Sequence, residues 1–381
     1  MASLKDRLRR AREIAGARAD APRAPAPKSA DRASPEGFEG VGPGLLLRET
    51  FFPLDLPETW NLEPFLGGAD LSALGNPRAV EARRLRFFDL ETTGLSGGAG
   101  TIAFLAAVGR AVAGGLLVRQ WLLEDWPGEV ALLAELAREL DPEAVLVSYN
   151  GRSFDVPLIR GRFVLNRSRC PERPHADILH ACRRLWRRTL GSCSLQALES
   201  AVLGRAREAD IPGAEIPEVF IAFARTGRDE RMDLVARHNA RDVASLASLA
   251  FETVRAHEYP FLREDIDLGS LGAWLSRRDA ALARAVLERG FARGDARSGL
   301  ALAALCRREG DEKSRDAILG ELAPTPFTLV ERAKRAEHAL RDPASALAFA
   351  EAALALEGRQ AARAALERRI ARLLRKTGML A

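Results

Sequence analysis

Sulfur is scarce in this chain: four cysteines in 381 residues. Cys170, Cys182, Cys193 and Cys306 show no C-x-x-C spacing, which excludes a zinc ribbon and a disulfide framework. Free buried thiols in a reducing compartment are expected instead. No apolar run approaches the ~20 residues that a membrane-spanning helix needs. The N-terminus lacks an apolar signal-peptide core, so the expectation is a soluble cytoplasmic protein with no membrane partner. The glycine run "GLSGGAG", 94–100, has no following Lys-Ser/Thr, which excludes a P-loop and leaves a flexible turn between strands. Charge is not extreme either. A net +5 and a pI near 9.3 suit a polyanionic partner without specifying one. The richest basic run, "RRLWRR" at 183–188 around Trp186, reads as a solvated helix face or as a phosphate-tracking strip.

What the chain does have is apolar residues, 47% of the total, and length enough for two or three domains. Residues 2–17 have the pattern of a short basic amphipathic helix, and the Pro-, Ala- and Gly-rich stretch after it, through residue 43, reads as a flexible linker. An α/β domain is expected over 44–262. "RLRFFDL", "GTIAFLAAVGRAV" and "GLLVRQWLL" read as three strands joined by short turns, an antiparallel meander. The helix "EVALLAELAREL", the strand "EAVLVSY" and a helix beginning within "GRSFDVPLIRGRF" follow. Two more helices, "DILHACRRLWRR" and "SLQALESAVL", precede a long closing helix over about 233–255. Meander plus alternation predicts a mixed sheet flanked by helices. Over 268–381 strand signals vanish and Ala, Leu, Arg and Glu recur at helical period. There "TLVERAKRAEHALRDPA" and "SALAFAEAALAL" resemble a tetratricopeptide-like helix–turn–helix.

Within the first domain, acids stand where apolar residues would be cheaper. Asp89 and Glu91 sit two apart in a strand and share a face. Side by side they repel, unless a cation lies between them; hard divalent ions prefer such oxygen donors. A strand end presenting both acids to solvent is the plainer alternative. Asp155 follows the strand "EAVLVSY" near a helix start, after the turn residues Asn150 and Gly151. Alone it is a capping or dipole residue. Phe154 before it is core or a base-stacking face. His238 and Asp242, four apart, lie on one helix face. Four acids and one histidine together suit a two-metal hydrolysis of a phosphodiester, with His238 able to take a proton from water near neutral pH.

"FFDLETTG", "NGRSFDVPLI" and "HNARD" resemble the three motifs of the DEDD 3′→5′ exonuclease superfamily, and the wider pattern over about 80–260 is similar to the YprB-type ribonuclease-H-like family. "GLSGGAGTIAFLAAVG", "HADILHACRRLWRR", "SCSLQALE" and "DIPGAEIPEVFIAF" contribute to that likeness. The resemblance implies a ribonuclease-H-like fold and 3′→5′ exonuclease action on DNA or RNA. It implies two Mg²⁺ or Mn²⁺ ions held by Asp89, Glu91, Asp155 and Asp242, with His238 as general base. Thr92, Thr93 and Gly94 match the turn that seats the terminal nucleotide, and Asn150 and Phe154 are further substrate contacts. Members with a catalytic His place it five residues before the last Asp and those with a Tyr four before; here a His occupies the Tyr spacing. Asp177 is expected to cap a helix. The competing reading is a nucleic-acid-binding or scaffold protein with a silent nuclease site, whose helical region docks a protein partner.

Overall fold

The computed structural model describes residues 34–65, 74, 76–94, 100–140, 143–207 and 210–378. The expected basic helix, most of the linker and most of the glycine run lie outside these residues. The chain divides into two compact units, one drawn from Met1–Leu179 and Leu195–Phe251, the other from His180–Ser194 and Glu252–Ala381.

The first unit is built on strands β1 (Glu39–Gly42), β2 (Leu45–Pro53), β5 (Leu85–Thr92), β6 (Ala103–Val112), β7 (Gly115–Leu123), β8 (Val145–Ser148) and β9 (His175–Asp177). They form one sheet in the order β1-β2-β7-β6-β5-β8-β9. A separate short ladder joins β3 (Thr59–Trp60) to β4 (Val80–Glu81). Pairing is antiparallel from β1 through β5 and parallel from β5 to β8 and β9, so the sheet is mixed. The expected three-strand meander is therefore extended by two strands on one side. One of these, β1, lies inside the stretch read as linker. Phe38, buried beneath the Arg48 guanidinium at 5.0 Å, anchors it, and Gly44 at φ 67° turns the chain back into β2. A left-handed φ costs glycine nothing, and one buried aromatic orders a short edge strand that composition marks as loose.

Helices of this unit are α1 (Glu129–Glu139), α2 (Asp155–Leu165), α4 (Leu195–Leu203), α5 (Ile216–Thr226) and most of α6 (Met232–Glu258); α3 (Leu179–Leu190) belongs almost wholly to the other unit. The core packs Phe88, Phe104 and Trp121 of the sheet against α5, with Phe104 and Phe220 stacked at 4.1 Å. Gly109 of β6 lets α6 come close. A Cβ there would stand 2.7 Å from Val243 Cγ1 and 3.0 Å from Leu116 Cδ2.

The second unit is helical: α3, then α7 (Leu268–Leu275), α8 (Ala280–Ala292), α9 (Ala296–Glu309), α10 (Glu312–Glu321), α11 (Pro326–Arg335), α12 (Pro343–Leu356) and α13 (Gln360–Lys376). Sequence neighbours pack on one another. Side chains of Asp267, Asp279, Asp295, Asp311, Thr325 and Asp342 each accept a first-turn N–H, satisfying donors that a helix start leaves open. The basic run in α3 is partly spent here. Trp186 is buried, Arg184 lies 4.7 Å over the Trp274 ring, and Arg188 donates to Asp267 at 2.9 Å. No helix among the described residues is long and apolar enough to cross a membrane.

Candidate active site

Parallel pairing decides which groups can meet. Leu85 pairs with Val145 and Phe87 with Val147, while Ser148 pairs with Asp177. The carboxyl ends of β5, β8 and β9 therefore lie at one edge of the sheet, where sites form in α/β folds. That edge receives Asp89 and Glu91 from β5, the turn leading to Asp155 from β8, and Asp177 from β9.

Asp177 does not act as the expected N-cap alone. It ends a strand that the sequence reading assigned to a helix start. Its carboxylate accepts from the Asn150 N–H at 2.9 Å and the Arg152 N–H at 3.1 Å, as well as from Leu179 N–H at 3.1 Å. It thus folds the turn that presents Asp155. Asn150 takes a left-handed φ of 64°, which Asn tolerates well. Gly151 is required by space: a Cβ would fall 2.5 Å from Ser148 Oγ and 3.0 Å from Asp155 Oδ2. Ser148 Oγ is itself held at 2.7 Å from His175 Nε2.

Helix α6 brings His238, Asn239 and Asp242 to the same edge. Val235, Val243 and Leu246 are buried and seat the helix. Asn239, absent from the sequence-based site, donates to Asp89 Oδ2 at 2.7 Å. Its own oxygen accepts from Gln120 Nε2 at 2.9 Å, and Gln120 Oε1 accepts from Arg48 at 2.6 Å. Asn239 and Gln120 are fully buried, so this relay fixes one carboxylate from 72 residues of strand separation away (Arg48 to Gln120) and across α6. Its only sequence trace is a polar glutamine within the apolar "GLLVRQWLL".

His238 Nδ1 lies 2.7 Å from Asp210, leaving Nε2 to face Asp242 at 3.6 Å and Glu91 at 3.9 Å. An ionised Asp210 selects the tautomer with the proton on Nδ1, so Nε2 is the acceptor. Burial alone would raise the Asp210 pKa, but bonds from His238 and Arg207 hold it below its ordinary value. Arg207 bonds Glu199, Asp242 and, at 3.0 Å, Asp210. Neither Arg207 nor Asp210 figured among the expected site residues; "DIPG" carried only a general family likeness.

The electrostatics follow from crowding. Burial pushes Asp89 well above the usual carboxylate range, and Asp242, Glu91 and Asp155 add to it, against the Asn239 amide. Burial likewise raises Glu91, helped by Asp242, Asp155 and Asp210 and opposed by Arg207. Asp242 is raised by burial despite His238 and Arg207, and Asp155 is pushed up to about 7, chiefly by burial. Asp89, Glu91, Asp155 and Asp242 thus share one electrostatic neighbourhood. Their donor type suits a hard divalent cation. The side chains are not preset around one: no three His, Cys, Asp or Glu among the described residues converge as a metal-holding group. Asp242 is turned to Arg207 and Asp89 to Asn239.

The remaining expected residues shape the edge. Thr92 Oγ1 donates to Gly94 O at 3.0 Å, and Thr93 Oγ1 accepts from Ile102 N–H at 3.0 Å. Both hydroxyls are therefore engaged in the turn after β5. Phe154, 58% exposed, stands just before α2 with its ring open to solvent.

Comparison with known proteins places this edge within a matched region. A model of the RNase_H superfamily, RNase_H_2, matches residues 86–253. The chain is 36% identical over 214 residues to a Bacillus subtilis (strain 168) protein described as "Uncharacterized protein YprB". That match covers 54% of this chain and 52% of the relative, so the chain spans about half the length of the curated relative it matches.

Proposed function

We propose that this chain is a metal-dependent 3′→5′ exonuclease that hydrolyses phosphodiester bonds of DNA or RNA by a two-metal route. The observation that carries the reading is the gathering of Asp89, Glu91, Asp155 and Asp242 in partly buried positions, each raised in pKa by desolvation, and Asp89 and Glu91 also by the charges of neighbouring acids. A fold does not bring four partly desolvated acids to one sheet edge cheaply unless cations complete them. The RNase_H superfamily match over 86–253 supports nuclease-type chemistry, and the 3′→5′ direction rests on the motif resemblance.

Asp89, Glu91, Asp155 and Asp242 would hold the ions. When bound, the ions lower the pKa of the attacking water and stabilise the leaving oxygen. His238 supplies the proton acceptor at Nε2, and Asp210 holds its ring in that tautomer and stabilises the imidazolium formed. Asn239 keeps Asp89 aimed during loading, because its amide is locked by Gln120. Asp242 would hold an ion only when released from Arg207, whose guanidinium Glu199 and Asp210 would keep.

Mn²⁺ titration followed by thermal unfolding tests the ion site. Wild type is expected to gain stability as Mn²⁺ rises, and Asp89→Asn to gain almost none. Equal gains in both proteins would remove Asp89 from the site. The Arg207–Asp242 bond favours one alternative: a nucleic-acid-binding scaffold whose site stays silent and whose helical region docks a protein partner. Nucleic-acid binding and Mn²⁺ binding without turnover on any substrate would favour it.

A further inference from the structure

Arg207 has a second role open to it. Besides bonding Asp242, it lines a cavity of about 440 Å³, within the ~300–1,000 Å³ typical of small-molecule sites. The charge of the lining is lopsided. Among the described residues that line it, Arg205, Arg207 and Arg241 stand beside one acid, Glu199, which is bonded to Arg207; Arg241 keeps a partner of its own, and its guanidinium has five N–H donors to share. Arg205 donates to the neutral hydroxyl of Ser248 at 3.2 Å, so that bond does not cancel its charge. Both Arg205 and Arg241 are exposed. The opposite character comes from the end of β2, where Phe52, Pro53 and Leu54 give an apolar wall. Ala244 and Ser245, both buried on α6, make a shallow floor of small side chains. Arginines beside an apolar face suit a ligand with an anionic end and a flat or apolar end.

We infer that this cavity is a subsite for one nucleotide of the substrate strand, with its phosphate on Arg205 and Arg241 and its sugar and base against Phe52 and Leu54. The inference rests on the nuclease reading of the neighbouring carboxylates. Arg207 joins the two places through one guanidinium, so a strand seated in the cavity leads toward Asp242. A negative phosphate there also compensates the arginines when Asp242 turns to a cation. The paired acids would hold the reacting phosphate, and the cavity a phosphate further along the strand.

The test is fluorescence anisotropy with an end-labelled single-stranded oligonucleotide in Ca²⁺, comparing wild type with Arg205→Ala/Arg241→Ala. Both side chains are exposed, so the double variant should fold, which circular dichroism and Mn²⁺ titration check. Expected are a tenfold or greater loss of affinity and a log–log salt slope shallower by about 0.7, the value for one phosphate neutralised on a single strand. A nucleoside monophosphate should compete in wild type better than inorganic phosphate, and the double variant should lose that advantage. Unchanged affinity and slope in a double variant whose wild-type parent cuts and binds would overturn the subsite alone. A wild type that neither binds nor cuts any oligonucleotide would overturn the nuclease reading and the subsite with it. Inorganic phosphate competing as well as the nucleotide would also overturn the nucleotide assignment.

Discussion

Asp89 is the residue on which the site turns, because three influences meet on it: burial, three neighbouring acids and one amide. Replacing it by Asn removes a repelling charge but keeps an oxygen for the Asn239 amide. Metal-free Asp89→Asn should therefore melt at or above the wild-type temperature while losing metal-dependent stabilisation, as paired thermal scans with and without Mn²⁺ would show. Gln120 is the opposite case. Gln120→Leu strips a partner from both Arg48 and Asn239 in the interior. Leaving buried polar groups unmatched costs roughly 1–3 kcal/mol each. Urea unfolding should show a loss of about 2–6 kcal/mol, and Mn²⁺ affinity should fall about tenfold as Asp89 loses its orientation. In the helical unit, burial drives the His257 pKa down to about 3, aided by Arg184 and Arg278 and opposed by the Thr253 carbonyl. Its Nδ1–H donates to Thr253 O at 2.7 Å and Nε2 accepts from Arg184 at 2.8 Å, a pairing only the neutral ring can make. Unfolded, the ring takes a proton near pH 6.5; folded, it resists down to about 3. Stability from this group is full above pH 6.5 and lost as pH falls toward 3, by about 2 kcal/mol at pH 5. His257→Gln should flatten that acid loss in denaturant titrations at pH 7 and 5.

Among the elements, the contact between β6 and α6 matters most for the site, since α6 carries His238, Asn239 and Asp242. Gly109→Ala would drive a methyl into Val243 and Leu116. Overpacking of this kind costs roughly 1–3 kcal/mol, and here it also lifts α6 from the sheet edge. The expected outcome is reduced stability together with reduced Mn²⁺ affinity, whereas Val243→Ala in the same background should recover part of both. The caps of the helical unit offer a separate check. Asp311 accepts from Ser314 N–H at 3.0 Å at the start of α10. Asp311→Ala should lower the unfolding midpoint in urea slightly, as loss of a helix cap does, without effect on metal binding. Four of the caps, at Asp267, Asp295, Asp311 and Asp342, carry an Asp-x-x-Ser spacing, a local signal present in the sequence though not among the expectations drawn from it. The meander and the long closing helix were readable for the same reason: period 2 and period 3.6 are properties of contiguous residues. Strands β1 and β9 were not. Both are short, and each owes its state to a distant partner: β1 to β2 after a glycine turn, β9 to parallel pairing with β8.

At the level of the whole molecule, the legible part of the site is the part carried by acids in unlikely places. Asp89, Glu91, Asp155, His238 and Asp242 were picked out from local strand and helix spacing, and the sheet edge and α6 bring them into one neighbourhood. What spacing could not convey is who neutralises whom. Arg207, Asp210, Asn239 and Gln120 reach the cluster from separate segments, and their roles depend on tertiary contacts up to 150 residues apart. The division into units shows the same limit. Sequence composition placed the boundary at 262–268, whereas His180–Ser194 joins the helical unit through contacts such as Asp267 N–H to Leu185 O at 2.7 Å. The modest net charge of +5 also conceals local contrast, with acids gathered at the sheet edge and arginines around the adjoining cavity. The most direct measurement is cleavage of 5′-end-labelled single- and double-stranded DNA and RNA by purified protein in Mg²⁺ or Mn²⁺, with Asp89→Ala alongside. The account predicts a ladder shortening from the 3′ end that the variant does not produce. The same ladder from Asp89→Ala, or no cleavage of any substrate by a wild type that binds Mn²⁺, would contradict it.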